Sequence, residues 1–459
     1  MQGEPLIGER LAAAMAAADA ESDDLWTHGF HTYPARMHSA IARALVRHFN
    51  PGPGKRVLDP FCGSGTVLVE AQVAGLAAWG SDLNPLSMRV AQLHCQPLPA
   101  AMRQQLLSVV QEVAAASEAR VRSRVKVRAP LPRSEVVRYA PHVLLELAGL
   151  HAEIAAIEDG VIRRALEMVF SAMVVKFSRQ RADTSEHLVE KRLRKGLVTE
   201  FFVRKAAELC TRWEQLAQAL PTDVPHIGLF QCDVRELPRH LPQAQRADLV
   251  LSSPPYGGTY DYVQHHARRF PWLGMSSEQF AEKELGARRH FSAAPAGRRR
   301  WDQELTGALV AIAESTQLGA QVCFLLGDAQ LGDERVDAAQ QLAVLAPACG
   351  LRFVASAAQQ RPDFRGGQPR QEHLVLLEVV AHGIWRAQQR RAGTSHGASR
   401  PRKRAQSTAQ VMGAALGRGQ KPARKTTGER SADSEPSPKS ARAGRGRQRK
   451  QARRKKDHE

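Results

Sequence analysis

Apolar residues follow three regimes along this chain. The first is a set of short apolar runs closed by glycine, proline or an acid: RVLD at 56–59, AAWGSD at 77–82, HIGLFQ at 226–231, ADLVLS at 247–252, QVCFLL at 321–326 and HLVLLEV at 373–379. Runs of this length and composition predict buried strands. After the first run the spacing turns helical through Thr66–Ala74, and another helix is expected after Asn84. A strand–loop–helix–strand order of this kind predicts a parallel, doubly wound α/β sheet of Rossmann-like form.

The second regime runs from about Pro97 to Pro225. Its apolar residues recur at helical spacing, as in HVLLELAGLHAEIAAIED and ALEMVFSAMVVKFS, and predict an all-helical insertion. The third begins beyond Ile384, where no apolar periodicity remains. Such a segment cannot bury enough surface to offset its ordering entropy, so a disordered tail is expected. The expected organisation is a loose or helical leader (1–27), a sheet domain in two pieces (28–97 and 226–384), a helical insertion (98–225) and the tail (385–459).

Charge sharpens this division. The 459 residues carry a net charge of +19, yet residues 385–459 hold 22 Lys and Arg against 5 Asp and Glu, a net of +17. The remainder is nearly neutral, so the basic balance describes the tail and not the site. A tail of this density should touch phosphates without reading sequence; a solubility tail, or a nuclear address in PRKR or ARRKK, are the competing readings. No apolar run is long enough to span a bilayer, and the N-terminus lacks a basic start before an apolar core, so neither membrane nor secretion is expected. The six cysteines form no CxxC pair, which points to reduced thiols in the cytoplasm and to no metal site.

Two motifs carry chemistry. The first is DPFCGSGT at 59–66, where a strand ends at Asp59, a loop with Gly63 and Gly65 turns tightly, and a helix opens at Thr66. Glycines let backbone approach a ligand, and the helix N-terminus faces it. The spacing fits neither GxGxxG nor GxxxxGK[ST]. Asp82 ends the next strand, where an acid can accept from ribose hydroxyls or, alternatively, cap the helix beginning near Pro85. The second motif is SSPPY at 252–256. Two prolines stiffen the turn. Ser253 Oγ and the Pro254 carbonyl can accept the hydrogens of a base amine, Pro255 fixes the backbone, and Tyr256 can stack on the base; a rigid turn with a part-buried tyrosine is the bland alternative. The pair His265–His266 does not read as metal ligands, because neighbours diverge on a helix, and is expected to face solvent or nucleic acid.

Together DPFCGSGT and SSPPY resemble the class I S-adenosylmethionine-dependent amino-methyltransferases of nucleic-acid bases, nearest to the DNA cytosine-N4 and adenine-N6 enzymes. The resemblance covers roughly 28–97 and 226–380. It implies a methyltransferase sheet, S-adenosylmethionine as cofactor without a metal, and DNA as partner, with RNA a competitor through the related guanine-N2 enzymes. The stretch His28–Val46, with Tyr33, resembles the segment lining the methionine end of the cofactor. The resemblance implies cofactor roles for Tyr33, Asp59, Phe61, Gly63, Gly65, Thr66, Asp82, Asn84 and Asp233, and base-directed roles for Ser253, Pro254, Pro255 and Tyr256. Serine at 253 favours cytosine N4; adenine-N6 enzymes more often carry Asp or Asn there. The sequence departs from the family at Ser252, where threonine is common, and in placing its insertion between the cofactor motifs. Lys176, Arg179 and Arg181, in the insertion, are the candidate nucleic-acid contacts; a solvated helix face is the alternative. A DNA-modifying enzyme of the restriction-modification type is the expectation, and an inactive nucleic-acid-binding protein on the same fold is the alternative.

Overall fold

Strands form where apolar runs are buried on both faces, and five of the predicted runs line up in parallel. The computed structural model describes residues 1–388 apart from 124, 126, 182–186, 242, 292–296 and 362–368. They fall within one unit, Met1–Ala398; the second unit, Ser399–Glu459, and with it the basic runs of the expected tail, lies outside the described residues.

The chain opens with β1 (Gln2–Gly3), α1 (Pro5–Ala20) and α2 (Ser39–His48). The core alternation follows as β2 (Arg56–Asp59), α3 (Thr66–Val73), β3 (Ala77–Asp82) and α4 (Pro85–Cys95). Five helices come next: α5 (Ala100–Arg122), α6 (Arg133–Val136), α7 (Pro141–Ala155), α8 (Gly160–Val174) and α9 (Leu197–Ala219). The sheet resumes with β4 (Ile227–Gln231) and β5 (Ala247–Ser252), then α10 (Tyr262–His266), α11 (Glu278–Lys283) and α12 (Gly297–Glu314). It closes with β6 (Thr316–Gly327), β7 (Ala329–Leu331), β8 (Glu334–Val336), α13 (Ala338–Leu345), β9 (Leu351–Arg361) and β10 (Arg370–Val379).

Eight strands form one sheet in the order β1-β9-β10-β6-β5-β2-β3-β4. The run from β6 to β4 is parallel, while β10 lies antiparallel to both β6 and β9. This is a doubly wound, Rossmann-like sheet with an antiparallel edge, the class the sequence predicted. Side chains alternate between faces as the pleat requires: Leu58 and Val250 join the core on one side with Trp301 and Leu309, and Val57, Leu249 and Leu251 join the other with Leu45 and Leu68.

Helices α5, α7, α8 and α9 bury a core of their own, including Leu106, Leu147, Phe170, Phe202 and Trp213. That core also takes Leu86 and Val90 of α4 and Trp272 beyond α10, so the helical block is seated beside the segment that follows the second motif. Among the described residues no helix is long and apolar enough to cross a membrane.

Two departures from expectation, and one choice the sequence left open, have physical causes. β9 was not foreseen, because its alanines and glutamines give a weak strand signal; pairing with β10 supplies what propensity does not. The leader is helical, and it is tied down: Leu11, Ala14 and Met15 of α1 are buried, and Gln2–Gly3 pairs with Ala355–Ser356. Trp385, placed in the tail by the sequence, docks on the fold, where its indole donates to the Arg235 carbonyl at 2.9 Å. Because Leu11 has no exposed surface, Leu11→Ala is expected to cost about 2–5 kcal/mol of unfolding free energy, read from urea denaturation; a variant as stable as the parent would make α1 a dispensable cover.

Candidate active site

The chain leaves β2 toward β3 and β4 on one side and returns to β5 and β6 on the other, so strand order reverses between β2 and β5. Ligand crevices form outside the carboxyl ends of strands at such a switch point. A cleft of about 810 Å³ opens there. Its floor is the 59–64 loop with Asp82, Cys232, Asp233 and Ser253, and residues 33–37, Tyr262 and Phe280 cover it.

The β2–α3 loop shows why two glycines are needed. Gly63 has φ +50, and a Cβ there would lie 2.9 Å from the Tyr33 ring, so glycine lets that ring close over the loop. Tyr33 is held in turn by a 2.6 Å hydrogen bond between its hydroxyl and Ser87 Oγ. Gly65 has φ +84 and precedes α3; a Cβ there would lie 3.2 Å from Ala91 and 3.3 Å from Cys95 Sγ, so it serves the packing of α3 on α4.

Asp82 is not the helix cap. Asn84 caps α4 by accepting from the Leu86 amide at 3.0 Å, while Asp82 accepts from the amides of Gly63 at 3.0 Å and Asn84 at 2.8 Å. Asp59 accepts from Ser252 Oγ at 2.6 Å and from the Phe61 amide at 3.2 Å. Burial pushes the Asp59 carboxyl up to about 7 and that of Asp82 up to about 6, against the hydrogen bonds that each accepts. Asp233 accepts from the Arg235 amide at 2.9 Å and also binds the Arg235 guanidinium.

Tyr33, Asp59, Phe61, Gly63, Thr66, Asp82, Asp233, Ser253 and Pro255 therefore line one cleft. Gly65, Asn84, Pro254 and Tyr256 lie behind or beside it. Tyr256 is buried; its hydroxyl donates to Glu372 Oε1 at 3.2 Å, and it borders a second cleft with Arg36, His38 and Tyr260. Lys176, Arg179 and Arg181 line neither cleft. Lys176 Nζ sits 4.3 Å over the Phe201 ring, and the backbone of Arg179 bonds to Arg138 and Val189.

His266 corrects the expectation of a histidine facing solvent or nucleic acid. It has no exposed surface, because α10 turns it inward against Tyr33, with ring centroids 5.0 Å apart. Sequence reasoning missed Tyr262, Phe280, Lys283 and Glu284, which cover the cleft from beyond β5. They belong to no short motif; Glu284 is placed by accepting from the Tyr262 amide at 2.6 Å and pairing with Arg289. Away from the cleft, Asp328, Asp337 and His373 gather their ligand atoms within 4.8 Å, with Asp328 already bonded to His373 and Arg335.

Fold and cleft thus define a Rossmann-like protein with an open cleft at its switch point, and known proteins narrow that class. Residues 29–140 match the family model described as "UPF0020: RMKL-like, methyltransferase domain". That stretch holds Tyr33, the 59–66 loop and Asp82, and stops short of Ser253. The type II methyltransferase M.MvaI of Kocuria varians is 40% identical over 75 residues, 16% of each chain. The tRNA (guanine(10)-N2)-dimethyltransferase of Methanothermobacter thermautotrophicus is 40% identical over 52 residues, 11% of this chain and 16% of that protein. The alignments span about a sixth of the length of these relatives. Among solved structures, the rRNA methyltransferase aviRa of Streptomyces viridochromogenes aligns at 13% identity and TM-score 0.31 over 76% of this chain and 88% of that chain.

The raised carboxyls make a pH prediction. Asp59 and Asp82 hold protons better folded than unfolded, where their value is 3.8. Their contribution to stability is full below that value and is lost as pH rises through about 6 and about 7. Asp59→Asn keeps an oxygen for Ser252 and Phe61. It is expected to flatten the fall in unfolding free energy between about pH 4 and about pH 7 in urea titrations; an unchanged fall would remove Asp59 from its cause.

Proposed function

We propose that this protein is an S-adenosylmethionine-dependent methyltransferase acting on an exocyclic amino group of a nucleic-acid base, with cytosine N4 in DNA as the favoured acceptor. One observation carries the reading: the Ser252–Asp59 hydrogen bond seats the SPPY turn against the glycine loop at the switch point, so acceptor chemistry and the cleft share one edge of the sheet. The partial matches to a methyltransferase domain and to methyltransferases of the type II and tRNA classes support it.

The cleft fits the cofactor. Asp82 stands at the end of β3, where ribose hydroxyls can donate. Thr66 Oγ1 is buried without a partner among the described residues at the first turn of α3, where the donor end of a helix meets a carboxylate. When bound, S-adenosylmethionine supplies an electrophilic methyl group on a sulfonium. Ser253 Oγ and the Pro254 carbonyl accept the hydrogens of the base amine. This favours a more tetrahedral nitrogen and stabilises the positive charge that develops on it. Fixing the nitrogen in line supplies the rest through proximity. A paired base must first leave the helical stack to reach this edge.

In the same reading 28–97 and 226–384 form the catalytic domain, and the helical block 98–225 forms a wall of the nucleic-acid cleft, with Lys176, Arg179 and Arg181 on it. The tail holds phosphates, and the enzyme works in the cytoplasm in a modification system. The tRNA guanine-N2 relative favours RNA as the second reading.

Nucleosides from DNA and RNA of a methylation-free host expressing the protein are expected to show N4-methylcytosine by mass spectrometry; no methylated amine in either would overturn the reading. Asp82→Ala should weaken S-adenosylmethionine binding by about tenfold or more in calorimetry. Ser253→Ala should slow transfer with binding unchanged, and an equal loss of both would merge the two roles. A chain ending at Gln388, which keeps Trp385 docked, is expected to flatten the dependence of log DNA affinity on log salt. An unchanged slope would detach the tail from the substrate.

A further inference from the structure

The cofactor cleft is covered from beyond β5 by two stretches of chain: Tyr262 at the start of α10, and Phe280, Lys283 and Glu284 in and just after α11. These helices have five and six residues. Helices so short do not hold their shape or place unaided, so the cover depends on what ties it down.

A buried charge cluster ties it. Asp261 precedes α10 and Glu284 follows α11, and their side chains are 3% and 2% exposed. Arg289 Nη1 donates to Asp261 Oδ1 at 3.0 Å and to Glu284 Oε2 at 2.6 Å. One nitrogen thus joins the start of one helix to the end of the other. The rest of the residue reinforces the joint: the Arg289 amide donates to Asp261 Oδ1 at 3.2 Å, and Nη2 donates to the Ala281 carbonyl inside α11. Glu284 passes the constraint on, since its Oε1 accepts from the Tyr262 amide at 2.6 Å. The half-exposed Arg288 approaches Asp261 at 3.5 Å.

The two carboxylates meet at one cation and are therefore neighbours. Burial raises the Glu284 carboxyl above its ordinary range; Arg289 acts against that rise, and the Asp261 charge adds to it. Removing one partner of a buried ion pair is costly because the other charge stays behind. Here two like charges would stay behind. A cover built from short helices escapes that cost by moving apart, which opens the cleft.

We propose that Arg289 is a positioning residue for the methyl donor: by bridging Asp261 and Glu284 it holds Tyr262 and Phe280 over the cleft, and cofactor affinity depends on that bridge. The proposal rests on the S-adenosylmethionine reading above.

The test uses the full chain, with S-adenosylmethionine binding measured by calorimetry and DNA binding measured in parallel. Arg289→Met should weaken S-adenosylmethionine binding about tenfold or more, the direction and scale expected when a buried ion pair loses one partner, with DNA affinity unchanged. Arg289→Lys should retain most of the affinity, because both acids meet at a single nitrogen that an ammonium can replace. Arg289→Met combined with Asp261→Asn removes the repulsion and should recover most of the lost affinity, a coupling that two independent structural losses would not give. Wild-type cofactor affinity in Arg289→Met overturns the proposal, as does a loss that spreads to DNA binding or that Asp261→Asn leaves in place. A wild type that binds no S-adenosylmethionine overturns the cofactor reading itself, a result distinct from the others.

Discussion

The hydrogen bond from Ser252 Oγ to Asp59 Oδ1, 2.6 Å long and fully buried, joins residues 193 apart in the chain. It ties the end of β5 to the end of β2 where strand order reverses. Both neighbouring loops take their places from it. On one side Asp59 also accepts from the Phe61 amide and starts the glycine loop; on the other, Ser253 begins the proline turn. The bond exists because the two strands are parallel and in register, Leu58 against Val250, which brings their carboxyl ends level.

Around that bond the site is layered by polarity. Asp59 is buried at the end of β2 and Asp82 is partly buried at the end of β3, and burial raises both carboxyls above their ordinary range. Asp82 spends its acceptors on the Gly63 and Asn84 amides, so the same group shapes the loop and offers charge to the cleft. Aromatic rings close the cleft from above. Tyr33 is seated by glycine at 63, by Ser87 and by the buried His266, so the cover is built from three distant parts of the chain.

Much of the sheet was legible in local pattern. RVLD, AAWGSD and ADLVLS became β2, β3 and β5 with the expected bounds, because runs buried on both faces carry a strong signal. β9 was hidden, since its strand character comes from its neighbour. Asp82 illustrates the limit for the site: its position was readable, but its choice between capping α4 and holding the loop depended on Asn84 standing two residues on. Tyr256 was readable as part of a motif, and its direction was not, because a stiff turn fixes geometry without saying which side faces which cleft.

What the sequence determined by itself is the alternation of strand and helix, the glycine loop, the proline turn and the separation of a basic tail from a nearly neutral body. These are properties of consecutive residues, set by periodicity, backbone freedom and charge density. Tertiary structure alone decided which residues of each motif face a cleft, which aromatics cover it, and that Tyr256 and Glu372 share a wall. The reason is physical: a strand or loop presents both sides equally until burial against its neighbours chooses one, and that choice is made by residues far away in the chain.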